Sequence, residues 1–208
     1  MGAGPAKIGI LGQNAEFDLV LASTSTVRAR LLAAAGVPFR VRPSGFDEGP
    51  MKRELRARAQ PAGAAAAALA QAKAMAVAEP TALVLGADQI LSLDGAWFDK
   101  PADRAEAKAG LLRLAGRTHE LESALVVMRQ GEVLWRHAET ARLTMRAFDA
   151  ALIEAYLDAA GADALTSVGA YQVEGVGVQL FDKIEGDFFA ILGLPLVPLL
   201  GFLRGWRR

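Results

Sequence analysis

The stretch DLVLASTSTVRARLLAAA, Asp18 to Ala35, decides how this chain begins to fold. Leu19, Val20 and Leu21 form a short apolar run that reads as a buried strand, while Val27, Leu31 and Leu32 recur at helical spacing. The chain therefore passes from strand into helix within Ser-Thr-Ser-Thr. Free N–H groups at a helix start attract anions, the hydroxyls add donors, and Arg28 in the first turn offers parallel N–H groups suited to phosphate oxygens. A plainer reading fits the same residues: Ser23 or Ser25 caps the helix and Arg28 is solvated.

Working outward, Gly36 stops the helix and Pro38 starts a strand through Phe39 to Arg42, a β-α-β beginning. Pro43, Gly45, Gly49 and Pro50 bracket a loop carrying Asp47 and Glu48, and a charged segment follows to Gln60. The Ala-rich run from Ala62 to Ala78 predicts a buried helix with Lys73 in its C-terminal half, where a cation also suits the helix dipole from solvent. Ala82 to Gly86 predicts an apolar strand with Asp88 at its C-terminal end, where ligands of α/β sheets gather. Asp88, beside Gln89, reads either as a turn former or as a carboxylate for metal or proton work.

Ile90 to Leu93, the Asp94-Gly95 turn and Trp97-Phe98 predict a hairpin, followed by Lys100 on a loop and a helix from Ala102 to Ala115. Two long strands, Thr118 to Met128 and Val133 to Met145, meet at Gln130-Gly131, and Asp149 to Ala159 is an amphipathic helix. Gly169, Gly175, Gly177, Gly186 and Gly193 punctuate what reads as short strands, a spacing that lets backbone pass close to a ligand. Pro195 begins an apolar helix through Leu203 that ends in Arg204, Arg207 and Arg208.

A chain of 208 residues, 52% hydrophobic and 22% charged, can bury a large core, and we divide it into an N-terminal extension over 1–17 and a single domain over 18–208. The absence of cysteine removes disulfides, thiolate catalysis and cysteine-held metals and suits a reducing compartment. No apolar run reads as a signal peptide or a membrane span, so cytoplasm is the expected location, with no membrane partner. Zero net charge argues against a nucleic-acid partner. Residues 1–60 are rich in Arg and Lys, whereas from Asp149 to Asp187 Lys183 is the only cation among many carboxylates. A cleft between a basic and an acidic lobe suits a small phosphorylated ligand with a divalent cation.

The glycine clusters match neither a dinucleotide fingerprint nor a GxxxxGK[ST] loop, and no serine-nucleophile arrangement is present. His119 and His137, both in the long hairpin, read as strand residues, so a metal would be held by oxygen ligands, as magnesium or manganese are. What survives is an anion seat of Ser23, Ser25 and Arg28, the lysines 73 and 100, and oxygen ligands from Glu48 and Asp88.

Taken together and in order, LASTSTVRARLL, Asp47-Glu48, LAQAKA around Lys73, GADQ at Asp88, DKP around Lys100, GRTHE, and AYQVEG followed by KIEGDFFAILGLPL resemble the Maf family of nucleoside triphosphate pyrophosphatases. The resemblance runs from about Leu19 to Leu203. It implies an α/β fold of Maf/ITPase-like type: a mixed twisted sheet with flanking helices and two lobes around a nucleotide cleft. It implies hydrolysis between the α- and β-phosphates of a nucleoside triphosphate, dependence on a divalent cation such as magnesium, manganese or cobalt, and a homodimer. By position, Asp88 matches the family's catalytic aspartate, and Ser23, Arg28, Glu48, Lys73 and Lys100 match its polar cleft residues. Asp88 and Glu48 are the implied metal ligands, Asp88, Lys73 and Lys100 the catalytic set, and Ser23, Ser25 and Arg28 the phosphate-binding set.

Three positions bear on the base. The branch that prefers thymidine and uridine triphosphates has Arg at the position of Val27, Thr at that of Gln89 and Gln at that of Glu174. Gln89 and Glu174 instead resemble the branch acting on 7-methylguanosine triphosphate, in which an aromatic residue usually stands at Val27. A carboxylate at Glu174 accepts hydrogen bonds from the N1–H and amino group of guanine and suits a base made cationic by methylation. The resemblance also carries a second reading of another class, a nucleotide-binding regulator that restrains septum formation and cell division without catalysis.

Overall fold

A computed structural model describes residues 17–206. The N-terminal extension read from the sequence over 1–17 thus lies outside the described residues apart from Phe17, as do Arg207 and Arg208 of the terminal cationic cluster.

The opening forms as its spacing predicts: strand β1 (Leu19–Leu21) is buried throughout, and helix α1 (Thr26–Ala34) starts behind Ser25, whose hydroxyl accepts the backbone N–H of Arg28. Strand β2 is short, Arg40–Val41, and pairs in parallel with β1. The charged segment after it is a helix, α2 (Glu48–Ala57), capped by Asp47. Its charges hide its periodicity, yet Met51 and Leu55, one turn apart, pack on the core. Helix α3 (Ala62–Met75) follows at once.

Strand β3 runs as one element over Leu83–Leu93 and corrects the sequence reading: Asp88 sits in the middle of a strand and not at the end of one. The small and polar residues Gly86, Asp88 and Gln89 interrupt the local apolar pattern, but pairing with a distant strand carries the extended backbone through them. That partner is β5 (Thr118–Arg129), antiparallel to β3 from Val84↔Met128 to Ser92↔Glu120. β4 (Ala96–Phe98) folds back on β3 through the Asp94-Gly95 turn, and helix α4 (Arg104–Leu114) follows. β6 (Glu132–Met145) pairs with β5, helix α5 (Ala150–Ala160) comes next, and β7 (Phe181–Glu185) closes the sheet against β6. The sheet order is β2-β1-β3-β5-β6-β7, with β4 also on β3.

One consequence of this topology positions the site. β5 occupies one edge of β3, so β1 and β4 must share the other. β1 pairs there only with Leu83–Leu85, and β4 only with Leu91–Leu93. β1 runs parallel to β3 and β4 antiparallel, so both strands end facing a split along residues 86–90. The loop into α1 and the loop carrying Lys100 leave from that split. Ligands gather at such breaks in strand order because backbone groups and helix starts converge there.

Alternate residues of β3 face opposite layers. Val84 and Ile90 pack with Leu69, Ala70 and Val126 under α3, whereas Leu85 and Ala87 pack with Leu32, Leu125 and Leu199 under α1 and the terminal helix α7 (Leu196–Gly205). Further along that second face, Leu91 packs with Leu111, Leu143 and Ile153 under α4 and α5. Leu196, Leu199 and Leu203 of α7 are core residues.

The glycine-rich third folds differently from its reading as short strands: it forms 3-10 turns over Gly161–Thr166, Val168–Ala170 and Val176–Leu180 before β7, and a one-turn helix, α6 (Phe188–Ile191), after it. Most of its glycines admit protein and not ligand. A Cβ on Gly177 would lie 2.6 Å from the Gln172 carbonyl oxygen, and one on Gly186 2.8 Å from the Ala141 methyl.

Candidate active site

All ten residues singled out in the sequence line one cavity of about 520 Å³ at the split beside β3. Its floor is a run of charged pairs. Lys73, on the face of α3 turned to the sheet, is buried, and its ammonium bonds Asp88 on one side and Glu48 Oε1, 2.6 Å away, on the other. The sequence allowed a solvated Lys73; the structure overturns that because α3 lies so close to β3. A Cβ on Gly86 would fall 2.0 Å from the carbonyl oxygen of Ala70, so only glycine permits the approach. Two residues beyond Gly86 on the same face, Asp88 meets Lys73.

Asp88 is 4% exposed. Burial pushes its carboxyl up from the ordinary carboxylate range, against the opposing pull of the Lys73 and Arg28 charges. Its Oδ1 holds Lys73, while its Oδ2 is buried without a hydrogen-bond partner. For Glu48, burial alone would raise the pKa, but hydrogen bonds from Lys52 and Lys73 outweigh it and hold the carboxyl at about 2. Lys100, on the loop after β4, is shifted down by burial and then by the nearby Arg28 charge.

Arg28 is neither solvated nor free. Its Nε donates to Gly193 O at 2.8 Å, and its Nη1 donates to Ala87 O at 3.0 Å and Ser23 Oγ at 3.3 Å. Ala87 lies in the split, so the guanidinium takes the place that a neighbouring strand would have. Two of its nitrogens, Nε and Nη1, are thereby committed to the protein. Ser25 caps α1, and Ser23 Oγ accepts the N–H of Ser25 at 3.1 Å, so both hydroxyls help to shape the turn.

Gln89 points to the other side of β3. Its Nε2 donates to Ser123 Oγ at 2.8 Å and to the Ala190 and Ile191 carbonyls, both at 3.0 Å. It thereby ties α6 and the Gly193 turn to the sheet. Glu174 pairs with the exposed Arg30 at 3.4 Å, and Glu174 and Val27 both line the cavity.

Sequence reasoning missed Lys52, which lines the cavity with its ammonium 2.8 Å from Glu48 Oε2. Its signal was the i,i+4 spacing from Glu48, which is legible only once the charged segment is known to be a helix. It also missed Tyr171, whose buried hydroxyl meets His119 Nε2 at 2.7 Å behind the cavity wall.

The donor set suits a hard divalent cation only in part. Glu48 and the free Oδ2 of Asp88 supply two carboxylates, and among the described residues no group of three or more acidic, histidine or cysteine side chains gathers to hold a metal alone. Magnesium-like ions accept such a site, with one or two carboxylates and the remaining positions filled by phosphate oxygens and water. The residues therefore fit a cation that arrives with a phosphorylated ligand.

A family model described as Maf-like protein matches residues 18–206. A nucleoside triphosphate pyrophosphatase of Rhodospirillum rubrum is 51% identical over 188 residues, covering 89% of this chain and 93% of the relative. One of the same name from Rhodopseudomonas palustris is 55% identical over 186 residues, 89% and 92% of the two chains. A 7-methyl-GTP pyrophosphatase of Mesorhizobium japonicum is 50% identical over 188 residues, 89% and 94%.

Proposed function

The chain belongs to the family of Maf-like proteins, and from that premise we propose that it is a nucleoside triphosphate pyrophosphatase with Asp88 at its reacting centre. Water attacks the α-phosphorus, the bond to the α–β bridging oxygen breaks, and the products are a nucleoside monophosphate and pyrophosphate. The observation that carries this reading is Asp88 itself, a buried carboxylate with one oxygen anchored by Lys73 and the other free, at the floor of a cavity that Arg28, Lys52 and Lys100 also line.

Each residue has a chemical task in that reaction. Asp88 Oδ2 accepts a proton from, or orients, the attacking water, and its raised pKa makes it a stronger base than an ordinary carboxylate. Lys73 holds Asp88 in place and, with Lys100, offsets charge growing on the phosphate oxygens. Arg28 fixes the turn of Ser23 and Ser25 and presents Nη2 to the phosphates. Glu48 and Asp88 would hold the divalent cation, magnesium, manganese or cobalt, which supplies charge neutralisation and a more acidic water.

For the base, we favour a purine, including 7-methylguanosine, because Glu174 places a carboxylate in the cavity that Val27 also lines. Gln89, the other residue compared with the 7-methylguanosine triphosphate branch, is held in place: its amide hydrogens are engaged by Ser123 and α6. A role in clearing modified nucleotides from the cytoplasm follows from such selectivity.

The test is pyrophosphate release from a panel of canonical and methylated nucleoside triphosphates with each metal, beside Asp88→Asn. Release by the wild type and its loss in a folded variant is the expected result. No release from any triphosphate would overturn the reading, and pyrimidine triphosphates as the best substrates by a wide margin would overturn the purine preference.

A further inference from the structure

We propose that Lys52 binds the pyrophosphate leaving group, an assignment that rests on the pyrophosphatase reading above. Lys52 stands one turn after Glu48 on α2, on the face turned to the cavity. Its ammonium lies 2.8 Å from Glu48 Oε2 and 4.0 Å from Asp99 Oδ1.

Each partner also has a second cation. Glu48 already takes the ammonium of Lys73 on its other oxygen, and Asp99 already takes Arg56 at 2.7 Å. Three carboxylates, Glu48, Asp88 and Asp99, and three cations, Lys52, Lys73 and Arg56, thus form one linked run. Lys73 is further committed to Asp88 and Arg56 lies outside the cavity lining, so Lys52 is the cation of this run left to meet a ligand in the cavity. Lys52 is also the more reachable ammonium, with 25% of its side chain exposed against 11% for Lys73.

Its place gives that ammonium a direction. The end assigned to the base carries Val27 and Glu174, and Glu174 is paired with Arg30. Lys52 sits instead with Asp99, the neighbour of Lys100, and the Arg56–Asp99 pair straps α2 to that loop. The cavity therefore has a base end on α1 and a cationic end between α2 and the β4–α4 loop. A triphosphate extending from the base past Asp88 carries its β- and γ-phosphates toward that cationic end. An ammonium there meets the charge that appears when the α–β bond breaks, and it holds the product that charge becomes.

The experiment is titration calorimetry with magnesium and two separate probes, inorganic pyrophosphate and guanosine monophosphate, on the wild type, Lys52→Met, Lys52→Gln and Lys52→Arg. Thermal unfolding is recorded for each. Pyrophosphate affinity should fall about tenfold in the Met and Gln variants, equivalent to one lost charge-assisted contact, and return in Lys52→Arg. Monophosphate affinity should change less than twofold. Unchanged pyrophosphate affinity in variants with wild-type unfolding midpoints would overturn the assignment, as would equal loss for both products, which marks Lys52 as a support for Glu48. Wild-type protein that releases no pyrophosphate from any triphosphate would instead defeat the underlying reading, so the two failures are distinct.

Discussion

The Nε of Arg28 donates to the carbonyl oxygen of Gly193 at 2.8 Å, joining two residues 165 positions apart in the chain. The same side chain bonds Ala87 O in the split of the sheet and Ser23 Oγ in the turn before α1. One guanidinium thus locks the turn before α1, strand β3 and the turn after α6 into one frame. A lysine offers a single nitrogen and cannot reach three acceptors in different directions.

Arg28→Lys should therefore lower kcat/KM by about a hundredfold while leaving a folded protein. Arg28→Ala should also destabilise the fold by about 2 kcal/mol, because the buried carbonyls of Ala87 and Gly193 lose their donor. Steady-state kinetics and urea unfolding of the two variants check both parts. An Arg28→Lys enzyme with wild-type kcat/KM would show that the frame is held by other contacts.

The activity should follow a bell-shaped pH profile with both limbs drawn inward. As the proposed base, Asp88 must be deprotonated, and burial raises its pKa, so activity should rise with pH through a value above that of a free aspartate. Lys100 must be protonated to meet the phosphates, and burial with Arg28 nearby lowers its pKa, so activity declines with rising pH sooner than for an ordinary lysine. Lys100→Arg should move the alkaline limb outward and leave the acid limb in place. Asp88→Asn should lose about 10² to 10⁴ in kcat and abolish the acid limb.

Much of this site was legible in the residues, and what was not has identifiable physical causes. The strand-to-helix turn at Ser23 to Thr26 is local, so spacing and cap chemistry were enough to place it. The position of Asp88 within β3 depends on the Asp88↔Ala124 and Gln89↔Ser123 pairing, a contact with a strand that follows a helix and a hairpin. Burial of Lys73 depends on the backbone contact at Gly86, and nothing in an Ala-rich helix distinguishes a buried lysine from a solvated one. The short strands expected between Gly169 and Gly186 became 3-10 turns because those glycines serve close backbone approaches, as at Gly177 on Gln172. Lys52 was hidden among the other cations of α2 until the fold placed it on the cavity.

Gly86→Ala tests the approach of α3 to the sheet. A methyl group 2.0 Å from Ala70 O cannot be accommodated without moving helix or strand. We expect a loss of about 3 kcal/mol in urea unfolding, at the upper end of ordinary overpacking because the obstacle is backbone. If the variant folds, Lys73 and Asp88 are moved apart and kcat should fall with it. Unchanged stability would mean that α3 shifts freely on β3.

His119 gives the fold a pH dependence separate from the pH dependence of activity. Its ring is buried, its Nε2 is joined to the Tyr171 hydroxyl, and its Nδ1 has no partner. Burial lowers its pKa from 6.5 to about 4, so the folded protein resists a proton that the unfolded chain accepts. Stability from this group is therefore complete above about pH 6.5 and is lost as pH falls toward 4, a decline of about 3 kcal/mol across the window. Glu48 acts lower down: with its folded pKa at about 2 against 4.5, its contribution is lost only between those values. Urea unfolding of the wild type and His119→Phe at pH 7, 5.5 and 4.5 separates the two. The wild type should lose stability across that range, and the variant, although weaker at pH 7, should lose much less. A variant with the wild-type slope would assign the decline to other groups.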